Sequence, residues 1–208
     1  MKVAIAGYTG LIGDLCLEMM LNEPEIHSIV CIGRKKPVQE NTKIDFVESN
    51  FEKPVHLNAD ALICCLGTTI KIAGSQDAFY KVDHDFVITF RNSFPQAKTM
   101  AIVSAVGADP SSSVFYNRVK GEMERDLEQS GLDSLAILHP SILLGKRKEF
   151  RLAERIGIAV MQIFSPLMLG TWAKYKPIHA SMVAKALIKC VKVRKEGVIV
   201  LEGNDLRN

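Results

Sequence analysis

Three side chains in this sequence can together move a proton and steady an oxygen: Ser104, Tyr116 and Lys120. Tyr116 and Lys120 stand four apart within SSSVFYNRVKGEME (111–124), a spacing that puts both on one helix face. A free phenol ionises near ~10. A neighbouring ammonium favours the phenolate, so Lys120 is expected to draw the Tyr116 pKa down toward the working range and make it a general acid and base. Ser104, twelve residues earlier, can hydrogen-bond the same oxygen that Tyr116 protonates. By itself such a pair equally suits an ordinary helix surface, so its meaning rests on what precedes it.

What precedes it is AGYTGLIG (6–13), with Gly7, Gly10 and Gly13 between a strand-like start and a helical stretch. In that context Gly7 permits the tight turn, Gly10 lets a pyrophosphate approach the backbone, and Gly13 lets the helix pack on the strand. The N–H groups of Leu11 and Ile12 then face the phosphates at a helix start. The alternative is a glycine-rich turn without a ligand. The end of the second strand reads Arg34, Lys35, Lys36 and carries no acid. An Asp or Glu there would hold the ribose of NAD, whereas a guanidinium can fork a 2′-phosphate. The sequence is therefore read as favouring NADP(H), against a solvated turn whose charges do nothing.

The elements that must position these groups are legible from apolar runs. Strands are expected at 2–7, 28–34, 44–48, 61–67, 99–105, 134–140 and 197–203. Helices are expected at 11–22, 75–94, 113–130 and 179–191, with Ser75 as a cap and Gly131 as a stop. Strands apolar on both faces and interleaved with helices imply a doubly wound parallel α/β sheet, the NAD(P)-binding Rossmann architecture, with a small C-terminal substrate-side extension. Such sheets bind ligands at the carboxyl ends of their strands.

Composition narrows the classes. The 208 residues, read as one domain (1–208), carry 48% hydrophobic and 24% charged residues and a formal net charge of +3, so no bulk field draws nucleic acid. The five cysteines fit no zinc pattern, and no metal is expected. The longest apolar stretch, 156–170, is too short to span a bilayer. No signal segment precedes the first strand, so a cytoplasmic protein, monomer or homodimer, is the expectation.

With GxxGxxG, a Ser before YxxxK and a basic second-strand end in place, the chain resembles the atypical short-chain dehydrogenase/reductase superfamily. Within it the resemblance is to the Tat-interacting oxidoreductase family, through IGRKK (32–36), CCLGTT (64–69), KVDHDFV (81–87), GAD (107–109), FYNRVKGEME (115–124) and HPSILLG (139–145). The resemblance implies that Thr9, Gly10, Leu11 and Ile12 line the pyrophosphate and that Arg34 and Lys35 meet the 2′-phosphate. It implies that Asn50 and Phe51 lie by the adenine and that Leu66, Gly67 and Thr68 pass under the ribose–pyrophosphate. Tyr116 and Lys120 would flank the nicotinamide, and Pro140, Ser141 and Ile142 its carboxamide end. The sequence departs from the family at Asn50, where an acid is usual, at Ala105, where a second serine is usual, and at His139, where an arginine is usual.

Residues 145–182 are expected to form the substrate side, with Phe150, Met161, Phe164, Met168 and Trp172 as an apolar wall or as core packing. Arg147, Arg151 and Arg155 recur there as a basic helix face, beside the pocket or merely solvated. His179 is expected to cap or anchor the late helix. An oxidoreductase passing hydride between NADP(H) and a small carbonyl or alcohol is the favoured function. The alternative is a dinucleotide-binding redox-sensing regulator or interaction protein. An epimerase- or dehydratase-type reaction on a nucleotide sugar is disfavoured, because the stretch after Pro140 is short for such a substrate domain.

Overall fold

The computed structural model describes residues 1–145 and 176–207. Strand β1 (Lys2–Ala6) leads into helix α1 (Leu11–Leu21), followed by β2 (Ser28–Gly33), β3 (Ile44–Glu48) and β4 (Ala61–Cys64). A short α2 (Ile70–Ala73) precedes a continuous helical run made of α3 (Gln76–Tyr80), a π-helical turn (Lys81–Asp85) and α4 (Phe86–Asn92). Then come β5 (Thr99–Val103), α5 (Phe115–Glu128), β6 (Ser134–His139), β7 (Leu143–Leu144), β8 (Ile178–His179), α6 (Ala180–Val193) and β9 (Gly197–Glu202).

Seven of the described strands form one sheet in the order β3-β2-β1-β4-β5-β6-β9, and every neighbouring pair is parallel. The order reverses between β1 and β4, whose registers align Ala6 with Cys64. Beyond those two carboxyl ends the chain must diverge in opposite directions, and this leaves the crevice in which α/β sheets take their ligands.

Each strand feeds two cores because its side chains alternate. Val3 and Ile5 of β1, Ile29 and Cys31 of β2, and Ala61 and Ile63 of β4 face α1 and α6. Ala4 and Ala6, Val30 and Ile32, and Leu62 and Cys64 face α4 and α5, where Phe90, Phe94 and Met123 fill the space. Burial on both faces is why these strands carry no polar alternation.

The strands fall where the apolar runs predict them. The helix expected at 75–94 runs from Gln76 to Asn92, and Ser75 caps it by accepting from the N–H of Ala78 at 3.1 Å. Its π-helical turn was not foreseen, nor were α2 and the two-stranded β7-β8 sheet. Most of the expected substrate side, including Arg147, Phe150, Arg151, Arg155, Met161, Phe164, Met168 and Trp172, lies outside the described residues.

Candidate active site

The glycine loop between β1 and α1 forms one wall of a cavity of about 800 Å³ over the β1–β4 crevice. Gly7 has φ 79°, and a Cβ on it would sit 2.4 Å from the Cys65 carbonyl carbon, so only glycine lets this turn pass the end of β4. A Cβ on Gly13 would meet the Gly7 oxygen at 2.2 Å, so Gly13 is where α1 closes on the loop. Gly10 differs from both. Its φ is −85° and a Cβ would meet only the Gly7 oxygen, at 3.3 Å. The backbone conformation does not demand a glycine there and the one contact is tight without being a clash; the missing side chain leaves room on the cavity wall. No side chain caps α1. An exposed Gly10 at an uncapped helix start fits a pyrophosphate. Thr9, Leu11 and Ile12 line the same wall, and Leu66, Gly67 and Thr68 line it from the end of β4.

The other phosphate end is arranged differently from the expectation. Arg34 and Lys35 are exposed after β2, and the cavity wall there is built from Lys36, Pro37, Val38 and Gln39. The Gln39 amide donates to Asp14 Oδ1 of α1 at 2.9 Å, tying this segment to the helix start. Tyr8, inside the glycine loop and only 3% exposed, donates its hydroxyl to the Lys35 carbonyl at 2.5 Å. Asn50 and Phe51 are not brought to the cavity wall. The Asn50 side chain accepts from the N–H of Glu52 at 3.1 Å, and Phe51, with φ 61°, turns its ring into the core beside Phe86 at 5.8 Å. They make a turn, which explains why an amide serves at Asn50.

The same cavity is lined by Tyr116 and Lys120 of α5. Lys120 Nζ lies 2.7 Å from Asp83 Oδ1, with both side chains buried. The second Asp83 oxygen accepts from the N–H of Thr68 at 2.8 Å. The π-helical turn inserts this carboxylate beneath the Gly67–Thr68 segment, and such turns mark functional sites in helices. Burial works against the Lys120 charge, but Asp83, with Tyr116 and Cys64 adding to it, outweighs burial and the ammonium pKa is raised.

Tyr116 does not behave as the sequence predicts. Burial pushes its phenol up, Lys120 pulls it down, Asp83 pushes it up again, and the net direction is up. The main physical reason is burial, which disfavours the charged phenolate; the Asp83 carboxylate beside Lys120 then offsets part of the ammonium's pull. The raised pKa keeps the phenol protonated, and its ring packs against Phe79 at 5.5 Å.

Ser104 also differs from the expectation. It borders the cavity at the end of β5, but its hydroxyl donates to Glu124 Oε1 of α5. His139 at the end of β6 donates from Nε2 to the same oxygen at 2.9 Å. All three residues are at least nine-tenths buried, so this is a polar tie between two strand ends and α5. It explains His139 as structural. Asp83 lies within KVDHDFV and Glu124 within FYNRVKGEME, but nothing in either stretch marks the carboxylate as a partner of Lys120 or Ser104.

Pro140 and Ser141 line the cavity, with the Ser141 hydroxyl donating to the Lys176 carbonyl, while Ile142 points out, 37% exposed. His179 precedes α6 but makes no capping bond with its side chain; it borders the cavity with Ala180 and Ser181. No cluster of metal-ligating side chains occurs among the described residues, and no described helix is long and apolar enough to cross a membrane.

No family model matches the chain. It is 31% identical over 224 residues to "Protein FMP52, mitochondrial" of Candida albicans, covering 99% of this chain and 96% of that protein. It is 31% identical over 197 residues to "Protein HTATIP2" of Rattus norvegicus, covering 90% and 79%. Among solved structures, the Bordetella bronchiseptica enzyme WbmH in complex with NAD+ matches with a TM-score of 0.66 over 97% of this chain and 75% of that one, at 16% identity, a likeness of fold. The cytoplasmic expectation is corrected here. The fungal relatives are named as mitochondrial proteins, which points to the mitochondrion instead.

Proposed function

This chain belongs to the family of the FMP52 and HTATIP2 proteins, Tat-interacting oxidoreductases of the atypical short-chain dehydrogenase/reductase superfamily, and from that premise we propose that it is an NADP(H)-dependent oxidoreductase acting on a small carbonyl or alcohol. The observation that carries the reading is continuity. A single cavity joins the glycine loop, with its open floor at Gly10, to the Tyr116 phenol over Lys120. A bound NADPH would supply the hydride.

The residues divide the remaining work. Thr9, Gly10, Leu11 and Ile12 would hold the pyrophosphate, and Leu66, Gly67 and Thr68 the ribose beside it. Arg34, Lys35 and Lys36 put a cluster of positive charge at the end of β2, which favours a 2′-phosphate over a free ribose. Pro140 and Ser141 would meet the nicotinamide end. Tyr116, kept protonated, would donate to the carbonyl oxygen. Lys120 would keep one turn of α5 and the Gly67–Thr68 segment in place through Asp83.

The test is fluorescence titration with NADPH and NADH of the wild type and Arg34→Glu, followed by a carbonyl screen with Tyr116→Phe as control. NADPH is expected to bind more tightly, with the preference lost in Arg34→Glu. Absence of binding by either nucleotide would sink the proposal.

A second reading, a dinucleotide-binding regulator without robust catalysis, is favoured by one observation. The Ser104 hydroxyl is engaged by Glu124 and Ala105 takes the next position, so the serine at the end of β5 is not free to donate to an oxygen beside Tyr116. Tight NADPH binding with no turnover across the screen would select it.

A further inference from the structure

We infer that Tyr8 is a positioning residue for cofactor choice: through its hydroxyl the pyrophosphate loop holds the Arg34–Lys36 segment where it can meet a 2′-phosphate. The inference rests on the NADP(H) reading above. Its basis is a contact across the cofactor cleft. Tyr8 sits between Gly7 and Gly10, yet its side chain reaches to the end of β2 and donates to the Lys35 carbonyl at 2.5 Å. The ring lies under Gly33, where a Cβ would come 3.0 Å from the phenol oxygen and 3.3 Å from the ring.

The position asks for explanation. A glycine loop needs small residues and backbone N–H groups, and neither need calls for a buried aromatic. Tyr8 is 3% exposed, so its placement is fixed, whereas Arg34, Lys35 and Lys36 are all exposed and carry long side chains. Three flexible cations on an untethered loop would lose rotamer and backbone freedom on gripping a phosphate. Anchoring the Lys35 backbone removes part of that loss before the ligand arrives. Burial, then the neighbouring Cys31, pushes the Tyr8 phenol up to about 12, so the donor keeps its proton throughout the working range. The second anchor on the segment is the Gln39–Asp14 bond, so it is pinned at both ends to the glycine loop and its helix.

The contact therefore acts on the 2′-phosphate and leaves the pyrophosphate contacts alone. In Tyr8→Phe the ring remains and only the donor is lost. Dissociation constants for NADPH and NADH are measured by fluorescence on the wild type, Tyr8→Phe and Gly33→Ala, with the unfolding midpoint of each. Tyr8→Phe is expected to weaken NADPH about three- to tenfold, the worth of one ordinary hydrogen bond, and to leave NADH unchanged. Gly33→Ala, which presses a methyl on the phenol, is expected to do the same. Equal weakening of both nucleotides would mean that Tyr8 merely shapes the glycine loop, and an unchanged ratio would mean that it does nothing for selectivity; either result overturns the inference. A wild type without NADPH preference overturns the NADP(H) reading itself and removes the inference with it.

Discussion

Asp83 and Lys120 form a buried ion pair, carboxylate oxygen to ammonium at 2.7 Å, on the floor of the cavity that holds Tyr116. The π-helical turn puts Asp83 there, and α5 brings Lys120. Removing one partner of such a pair leaves a buried charge unanswered and costs about 3–5 kcal/mol. Asp83→Asn is therefore expected to lower stability by about 3 kcal/mol in urea unfolding. With Asp83 gone, burial acts on the ammonium with much less opposition, so the Lys120 pKa must fall. The wild-type Lys120 pKa is raised in the folded state, so its contribution to stability is present below the unfolded lysine pKa and lost as pH rises through the folded one. In Asp83→Asn that contribution disappears. NMR titration of the labelled lysine reads the shift, and an unmoved Lys120 would show that the pair does not set its charge.

Gly10 and Gly13 separate ligand from fold. A methyl at Gly13 drives into the Gly7 carbonyl, 2.2 Å away and backbone, so Gly13→Ala is expected to cost about 1–3 kcal/mol and to weaken nucleotide binding with it. Gly10→Ala, with an ordinary φ and one neighbour at 3.3 Å, is expected to keep the unfolding midpoint close to wild type while NADPH affinity drops more than tenfold. Calorimetry beside NADPH fluorescence checks the contrast. Equal destabilisation by both substitutions would deny Gly10 its role.

Much of this was readable in the residues for a physical reason. Ile29, Val30, Cys31 and Ile32 run without a polar break because β2 feeds a core on each face, and the glycine spacing depends only on local backbone. The pairing partners were not readable. Lys120 is four residues from Tyr116 in sequence, but Asp83 reaches it across 37 positions through a π-helical turn that no apolar period reports. Nor does the sequence show that the Ser104 hydroxyl is engaged by Glu124, one α5 turn past Lys120. Phe51 looked like an adenine contact, and its left-handed φ sends the ring inward instead.

The Ser104–Glu124–His139 tie makes a prediction about catalysis. If the serine hydroxyl serves Glu124, Ser104→Ala should lower stability by about 1–3 kcal/mol and leave turnover of a carbonyl substrate within a few-fold of wild type. Tyr116→Phe should leave stability nearly unchanged and cut turnover at least about a hundredfold, the usual worth of a general acid. Glu124→Ala, which strands both the Ser104 hydroxyl and the His139 N–H, should be the least stable of the three. A loss of turnover in Ser104→Ala matching that of Tyr116→Phe would return the serine to the chemistry.

Alkaline pH should unfold this protein by a route that the two cores dictate. Burial pushes the thiols of Cys31 and Cys64 up to about 12 from 9.0. A raised pKa means that the native state holds protons which the unfolded chain has released, so stability is fully present below pH 9 and falls as pH rises toward 12. Each thiol adds a slope of about 1.4 kcal/mol per pH unit across that window, and Tyr8, also at about 12, joins above its ordinary value of 10.0. Urea midpoints are expected to stay level from pH 7 to near 9 and then decline steeply. Cys31→Ala should start lower at pH 7, because it opens a cavity between β2 and α1, yet decline less steeply above pH 9. Parallel pH profiles for the two proteins would show that the thiol titrates alike folded and unfolded, and that β2 is less sealed than its register with β1 and β3 requires.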